Sequence, residues 1–254
     1  IKYKLNLKNK LKMKKLLLLT LVFASNTLFS QIVSFHPVKV EANQLESFLE
    51  IETNHMRKIA QSAVENGDIE GWRLLEMFNP NPDEYNFMWV NIYKDIKSAT
   101  SPSSAWWNTS EEVLGIKTSV LMDGLKGIKP DKRYIYEVKL QIENSEPSTY
   151  VILNFARPND LNIQIEEAKK FVLPHFKKNM KKFGMVGWGL GTKITPQGKE
   201  YSSMMTWDSY DSLENVMKHL GGYGVIEGLP FDKFSEIIEW ENRYIMKVIS
   251  STTN

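Results

Sequence analysis

The sequence contains no cysteine and only four histidines among its 254 residues. Without cysteine, the protein has no disulfides, no thiolate metal ligands, no cysteine nucleophile and no residue to carry the lipid of a bacterial lipoprotein. His36 and His219 do not stand at metal-ligand spacing from another histidine, and no G-x-S-x-G elbow is present. We therefore predict no metal site and no serine-hydrolase chemistry.

The body of the chain also lacks a basic stripe and a long apolar run. Residues 1–30 hold seven lysines and no acidic residue, which leaves 25 basic and 30 acidic side chains in the remainder. A mildly acidic body with interspersed charges cannot neutralise a phosphate backbone, so we expect no nucleic-acid partner. No later apolar stretch approaches the length that spans a bilayer, so we expect no stable membrane insertion.

The first thirty residues have the layout of a secretory signal. Met13–Lys15 is basic and is followed by an apolar run over residues 16–24, which is too short to span a bilayer comfortably. We interpret residues 1–12 as sequence ahead of the true start at Met13. Cleavage is expected after Ser30, or earlier near Ala24, and the product is expected to be exported, to the periplasm or the medium.

An internal repeat organises the rest of the chain. Several residues and short motifs recur in the same order at offsets of 110 to 120 residues. Insertions and deletions in loops explain the variation in the offset. The pairs are His55 with His175, Gly71-Trp72 with Gly187-Trp188, Tyr85 with Tyr201, and Arg133-Tyr134-Ile135 with Arg243-Tyr244-Ile245. We predict a first repeat over residues 31–145 and a second over residues 146–254.

The periodicity of apolar residues predicts the same order of elements in both repeats. In the first, strands are expected over 32–40, 71–78, 85–93 and 133–142, with helices over 43–65 and within 98–125. In the second, strands are expected over 149–156, 186–195, 200–208 and 243–250, with helices over 162–183 and 211–220 and an extra helix or turn over 231–240. Each repeat is therefore a β-α-β-β-α-β unit, which is the ferredoxin-like arrangement.

The predicted strands are apolar on both faces, so each sheet needs cover on both sides. The simplest solution is an α+β fold in which two ferredoxin-like halves pack sheet to sheet about a pseudo-twofold axis. This arrangement resembles the dimeric α/β-barrel superfamily, which includes antibiotic-biosynthesis monooxygenases, EthD-like proteins and NIPSNAP-like proteins, with the usual dimer fused into one chain. The resemblance covers residues 32–250 and implies ligand sites between the sheet and the helices of each half.

The two helical histidines are the first candidates for chemistry within that resemblance. His175 follows Phe171 by four residues, and His55 follows Phe48 by seven, which places both on or beside the sheet-facing stripe. An imidazole there can act as a general base, a haem ligand or an orienting donor. The alternative is a partly buried histidine that is satisfied by a backbone carbonyl.

Four aromatic residues at paired positions are candidate ligand-binding groups. Trp72 and Trp188 open the second strand of each half, and Tyr85 and Tyr201 open the third. Together they can line a pocket for a small apolar or aromatic ligand, although residues of this kind also build ordinary cores.

Two other patterns favour structural explanations. The glycine-rich run 187–191 lies on a predicted strand rather than before a helix, which rules out a dinucleotide loop and predicts either close packing or access for a ligand. The helical carboxylates Glu50, Glu52, Glu166 and Glu167 are expected on solvated faces.

Three classes of function remain open. The first is a cofactor-independent monooxygenase or isomerase-like enzyme with His175 or His55 as its base. The second is a binding protein for haem or another apolar ligand, without chemistry. The third is a structural envelope protein whose pockets are filled by its own side chains. The enzyme hypothesis requires no cofactor, whereas haem is a possible ligand under the second. All three hypotheses are compatible with a monomer that has an internal pseudo-twofold axis or with a higher oligomer.

Overall fold

The computed structural model describes residues 31–196 and 203–253, apart from the side chains of residues 237–241. The strands are β1 (Ile32–Lys39), β2 (Gly71–Met77), β3 (Phe87–Tyr93), β4 (Lys129–Pro130), β5 (Tyr134–Ile142), β6 (Tyr150–Pro158), β7 (Met185–Thr195), β8 (Met204–Tyr210) and β9 (Ile237–Ser251). None of the described helices is both long and apolar enough to cross a bilayer.

Two long helices cover the sheet, and both contain a π-helical segment. Helix α1 comprises Leu45–Glu50, the π segment Ile51–Met56 and Arg57–Glu65; helix α5 comprises Leu161–Glu167, the π segment Ala168–Val172 and Leu173–Asn179. The shorter helices are α2 (Ile96–Thr100), α3 (Ser110–Leu114), α4 (Thr118–Gly124) and α6 (Leu213–Leu220). The long helices lead to Gly67 and Gly184, which take the positive φ angles that glycine adopts without strain.

The strand order confirms two ferredoxin-like halves. Within the first half the order is β5-β1-β3-β2, and within the second it is β9-β6-β8-β7, with all neighbours antiparallel. The edges of the two halves then pair with each other, β2 with β9 and β5 with β7. Each of these eight strands has two partners, so the sheet closes into a barrel, and β4 adds a short pairing to β1.

The closed barrel produces three separate cores. The apolar interior of the barrel contains side chains from both halves, and each half buries its helices against its own outer sheet face. Phe155 in the interior lies with its ring centre 6.3 Å from that of Tyr136 and 6.0 Å from that of Tyr244. The prediction that both sheet faces need cover is therefore confirmed.

The glycines of β7 serve close packing rather than a phosphate loop. A Cβ atom on Gly189 would lie only 2.0 Å from the Trp207 indole, and one on Gly187 would meet the Asn144 side chain at 1.9 Å. Trp188 and Leu190, at the alternate positions, belong instead to the core beneath the helices of the second half. The glycine run thus makes room in the barrel for a large ring.

Three details differ from the sequence expectation. Residues 98–125 form several short helical segments rather than one second helix, because Pro102 and Gly115 interrupt the chain. Helix α6 begins at Leu213 rather than at residue 211, and the Ser212 side chain caps it by accepting a hydrogen bond from the Asn215 backbone N–H. The extra helix or turn over 231–240 is a single 3-10 turn at Phe231–Lys233, and β9 already begins at Ile237.

The boundary expected between residues 145 and 146 falls in the connection between the two halves, since β5 ends at Ile142 and β6 begins at Tyr150. The expected leader over residues 1–30 lies outside the described residues.

Replacement of Phe155 by alanine should lower the free energy of unfolding by about 3–5 kcal/mol, because it removes a ring from the shared barrel interior. Phe155 is 1% exposed, whereas Phe78 is 43% exposed. The control Phe78→Ala should cost well under half as much in the same urea titration. Equal losses for the two variants would contradict a packed barrel interior.

Candidate functional site

Two cavities lie at equivalent places, one in each half, between the long helix and the outer face of the sheet. The first cavity has a volume of about 290 Å³ and is lined by His36, Glu52, Met56, Trp72, Trp89, Asn91, Trp106, Trp107, Met122 and Leu125. The second cavity has a volume of about 270 Å³, and its lining includes Asn154, Gln164, Val172, Phe176, Trp188, Thr206, Asp208, His219 and Arg243.

The strand register shows that the two cavities correspond residue by residue. Trp72 lies opposite Asn91 in the first half, and Trp188 lies opposite Asp208 in the second. On the helical wall, the 116-residue offset between the first residues of the two long helices, Leu45 and Leu161, also relates Glu52 to Ala168. The first cavity thus carries a carboxyl group where the second carries an apolar side chain.

The π-helical segments form the helical walls of both cavities. Glu52 and Met56 come from the π segment of α1, and Ala168 and Val172 come from that of α5. A π segment changes the angular spacing of side chains within a helix, and such segments occur frequently at functional sites. Here the altered spacing accompanies a glutamate that faces the sheet.

Glu52 is the most unusual residue of the first cavity. Its side chain is 1% exposed, and neither carboxyl oxygen has a hydrogen-bond partner among the described residues. Burial raises the pKa of Glu52 to about 8, and the nearby Trp89 indole N–H opposes that shift only in part, without reaching hydrogen-bond geometry. The prediction of a solvated face was therefore wrong for Glu52.

An unpaired buried carboxyl costs stability, so its presence calls for an explanation beyond packing. A carboxyl group with a pKa near 8 is largely protonated at neutral pH, yet it gives up its proton within the physiological range. Strongly perturbed acids that line a cavity are frequently found at functional sites.

Aromatic and polar groups surround the Glu52 carboxyl. Four tryptophans, Trp72, Trp89, Trp106 and Trp107, line the same cavity. The Trp106 indole N–H donates to Asn91 Oδ1 at 2.9 Å, which fixes both groups in a buried position. His36 lies edge-on to Trp89 with ring centres 5.5 Å apart, and its Nε2 donates to the Asp131 carbonyl at 2.8 Å. Burial lowers the pKa of His36, which keeps this imidazole neutral.

The second cavity has a connected polar network at its sheet side. Arg243 Nε donates to Asn154 Oδ1 at 2.6 Å, and Asn154 Nδ2 donates to Asp208 Oδ2 at 2.6 Å. The Tyr210 hydroxyl lies 2.6 Å from His219 Nδ1, and His219 Nε2 lies 3.9 Å from Asp208 Oδ2. This network spans the wall that in the first cavity holds Asn91 and His36.

The two histidines predicted from the sequence lie away from these linings. His55 is half-buried and does not line the first cavity. His175 does not line the second cavity; its Nε2 lies 2.7 Å from the Val225 carbonyl, and Asn179 approaches its Nδ1 at 3.4 Å. His175 therefore has the backbone-carbonyl partner considered above as the alternative to a catalytic role. The imidazoles that face the cavities are those of His36 and His219.

Among the paired aromatic residues, the two tryptophans line the cavities and Tyr85 does not. Trp72 and Trp188 line the first and second cavities and are almost completely buried. Tyr85 is half-buried, with its hydroxyl near Asp131, and does not line the first cavity. Tyr201 lies outside the described residues.

Sequence reasoning missed Glu52, Asn91, Asp208 and His219 as site residues. The repeat itself contained a usable signal, because Asn91 and Asp208 each stand two residues before a tyrosine, Tyr93 or Tyr210, at matching positions of the third strand. Helical spacing also marks Glu52, because it stands four residues after Phe48 and four before Met56 and so shares the buried side of the helix with them.

Solved structures with the same architecture include two bacterial proteins described as candidate monooxygenases. The protein from Fusobacterium nucleatum has a TM-score of 0.55 and 11% identity, over 89% of this chain and 95% of that one. The protein from Lactobacillus acidophilus has a TM-score of 0.52 and 11% identity, over 88% and 96%. The chain has the dimeric α/β-barrel fold. A candidate chlorite dismutase also shares it, with a TM-score of 0.52 and 7% identity over 88% and 96% of the two chains.

These likenesses establish the fold and leave the activity open, because identities of 7–11% do not carry residue roles. Neither a protein-family model nor a curated protein matches the sequence.

Neither His175 nor His219 supplies an open axial ligand for haem. Such a ligand needs an imidazole nitrogen that faces a cavity wide enough for the macrocycle. His175 points Nε2 at a carbonyl, and His219 has Nδ1 bonded to Tyr210 and Nε2 close to Asp208. Both cavities, at about 290 and 270 Å³, are also small for the haem macrocycle. Haem therefore takes no part in the chemistry derived below.

Replacement of Glu52 by glutamine should change how stability depends on pH. The pKa of Glu52 is about 8 in the folded protein, against an ordinary value of 4.5, so folding keeps its proton on between those limits. The contribution of the neutral Glu52 carboxyl to the free energy of unfolding is fully present below pH 4.5 and is lost as the pH rises through 8. The melting temperature of Glu52→Gln relative to wild type should therefore be higher at pH 8.5 than at pH 5.

The matched control is Glu50→Gln, because Glu50 is exposed on the same helix. This variant should show the same offset from wild type at both pH values in thermal unfolding followed by circular dichroism. A Glu52→Gln offset that does not change with pH would contradict a buried, proton-holding carboxyl.

Proposed function

We propose that the protein is an enzyme that removes a proton from a carbon acid of a small aromatic molecule bound in the first cavity, with Glu52 as the base. The observation that carries this proposal is the Glu52 carboxyl, which is buried, unpaired and directed into a cavity of tryptophans. Structural carboxyl groups are ordinarily hydrogen-bonded when they are buried.

The electrostatics of the site suit a general base. A base is most effective when its pKa lies near the working pH, and burial brings the pKa of Glu52 to about 8. Its carboxylate form receives little solvation in this cavity, which increases its tendency to take a proton from carbon. Proton removal transfers the negative charge from the poorly solvated Glu52 carboxylate to the substrate enolate.

The walls define the class of substrate. Four indole rings provide flat apolar surfaces, and about 290 Å³ accommodates a molecule of one or two fused rings. Asn91 Oδ1 accepts from Trp106, so its amide N–H groups are the part of this side chain left to donate to a substrate oxygen. A carbonyl next to the acidic carbon would gain negative charge as the proton leaves, and this donor would stabilise it.

The proton step leads to two outcomes. In an isomerase-like reaction, Glu52 returns the proton to a different carbon of the same enolate. In a cofactor-independent monooxygenase reaction, the enolate reduces molecular oxygen; a methylene becomes a carbonyl, one oxygen atom enters the product and the other leaves as water with the two hydrogens. The candidate monooxygenases that share the fold favour the second outcome.

The carbon acid 2-indanone is a suitable probe for the proton step. Wild-type protein in D₂O should speed the incorporation of deuterium into its methylene groups, followed by proton NMR, and the rate should rise with pH through about 8. Glu52→Gln should slow the catalysed exchange by about 100-fold or more, which is the usual contribution of a general base. Oxygen uptake with one ¹⁸O atom in the product identifies the monooxygenase, whereas exchange without uptake identifies the isomerase-like enzyme.

Glu50→Gln is the control and should exchange at the wild-type rate, because Glu50 is solvent-exposed. The double variant His55→Ala/His175→Ala tests the two histidines proposed from the sequence. If that variant loses exchange while Glu52→Gln keeps it, the base is a histidine and Glu52 is not catalytic. Absence of catalysed exchange in the wild type would overturn the proposal.

A binding protein for an apolar ligand is the second candidate, because both cavities have mainly apolar walls. Binding of 2-indanone without exchange or oxygen uptake would favour it. Haem is tested separately by titration, since a bound haem gives an intense visible absorbance band; a stoichiometric band would require His175 or His219 to leave its present partner.

Export to the periplasm or the medium is also a proposal, carried by the basic and apolar pattern within residues 1–30. Cell fractionation with mass measurement of the mature N-terminus tests it. A mature chain that retains Met13 in the cytoplasm would overturn it.

A further inference from the structure

The second cavity differs from the first in having a directional hydrogen-bonding system with a gap in it. His219 Nε2 and Asp208 Oδ2 both belong to residues that line the cavity and stand 3.9 Å apart, which is too far for a direct hydrogen bond. A single oxygen atom can lie at hydrogen-bond distance, about 2.8 Å, from both atoms. Asp208 is 3% exposed, so this gap lies in the buried wall of the cavity.

The partners of these residues fix which group donates. Burial raises the pKa of Tyr210 far above its ordinary value and lowers the pKa of His219, so the first stays a phenol and the second stays neutral. Tyr210 Oη and His219 Nδ1 lie 2.6 Å apart. Because a phenol is the stronger donor and an imidazole nitrogen the stronger acceptor of the two, we assign the hydroxyl as the donor, which places the imidazole proton on Nε2. Asp208 Oδ2 already accepts from Asn154 and has capacity for one more donor.

A group that bridges these two atoms must therefore accept from His219 Nε2–H and donate to Asp208 Oδ2. A hydroxyl group does both, whereas a carbonyl or ether oxygen only accepts and an ammonium group only donates. Burial raises the pKa of Asp208, while His219, the Asn154 amide and the Arg243 guanidinium on the same wall oppose that shift and favour the carboxylate.

The remaining walls favour an aromatic skeleton for this hydroxyl compound. Trp188 and Phe176 lie edge to face with ring centres 5.7 Å apart, and both line the cavity with Leu190 and Met204. The loop between α6 and β9 covers another side with Ile226, Leu229 and Phe234. About 270 Å³ of mainly apolar space takes one or two fused rings.

We infer that the second cavity is a separate binding site for a small, neutral aromatic molecule that carries a hydroxyl group, which bridges His219 and Asp208. The first cavity has no such pair, because Asn91 and His36 stand where Asp208 and Asn154 stand in the second. The site does not depend on Glu52 or on the proton transfer proposed for the first cavity.

The loop over the second cavity is held against α5 by hydrogen bonds. Glu167 accepts from the Ser235 backbone N–H at 2.8 Å and from its hydroxyl at 2.7 Å, and Gln164 Nε2 donates to the Ser235 carbonyl at 3.0 Å. His175 adds a contact to the Val225 carbonyl at 2.7 Å.

Binding of 2-naphthol and 2-methylnaphthalene to the wild-type protein tests the inference. The two molecules have nearly the same shape, but only the first can bridge the gap. Fluorescence titration of 2-naphthol, with displacement by 2-methylnaphthalene, should show at least about 10-fold tighter binding of the naphthol, since a hydrogen bond to a charged group contributes enough for that ratio. Equal affinities, or tighter binding of the methyl compound, would overturn the inference, as would no binding of either.

The variant Asp208→Asn tests whether the preference for 2-naphthol over 2-methylnaphthalene arises in the second cavity. It removes the carboxylate acceptor and should bring the affinity ratio of the two ligands close to one. The matched variant Asn91→Ala, at the equivalent position of the first cavity, should leave the ratio unchanged. A ratio that survives Asp208→Asn but is lost in Asn91→Ala would overturn the assignment to the second cavity.

The two variants distinguish a failure of the proton-transfer proposal for the first cavity from a failure of the binding proposal for the second. Glu52→Gln should abolish deuterium exchange into 2-indanone and leave the naphthol ratio intact, while Asp208→Asn should do the reverse. If Asp208→Asn does not fold, the loss of the ratio in Tyr210→Phe, which removes the hydroxyl that sets the His219 tautomer, gives the same information. A ratio that Tyr210→Phe leaves intact would then overturn the inference.

Discussion

The hydrogen bonding between the edges of the two halves is the constraint on which the rest of the structure depends. β2 pairs with β9, and β5 pairs with β7, so neither half keeps an exposed strand edge at these positions. Closure turns one face of each sheet into a common interior, which is filled by rings such as Phe155 and Tyr136. The other face then has only its own helices for cover, and this is where both cavities lie.

The cavities of the two halves share the positions of a tryptophan and a π segment, but they differ in the polar groups that line them. Trp72 and Trp188 hold the same place on the second strand, and both helical walls include a π segment. The reactive groups stand on opposite walls, however: Glu52 projects from the helix of the first half, whereas Asp208 lies on a strand of the second. A carboxyl without partners suits proton transfer, and one held in a network suits ligand recognition.

The repeat was the most informative feature of the sequence, because local residue patterns reveal it and no knowledge of tertiary contacts is needed. Alternation along the strands, helical spacing and the order of Gly71-Trp72 and Gly187-Trp188 predicted the ferredoxin-like halves and the place of each tryptophan beside a cavity. The same reasoning chose His55 and His175 because an imidazole on a helix is conspicuous. It passed over Glu52, since a glutamate on a helix is nearly always solvated.

The sequence by itself determined the elements, their duplication and the need to cover both faces of the sheet, since these follow from the periodicity and composition of neighbouring residues. Only the tertiary structure decided which polar side chains face the cavities. Glu52 lines a cavity with four tryptophans, and the position of α6 on the sheet brings His219 to within 3.9 Å of Asp208. Both results depend on where distant segments meet, and desolvation by those segments is what shifts the pKa values of these groups.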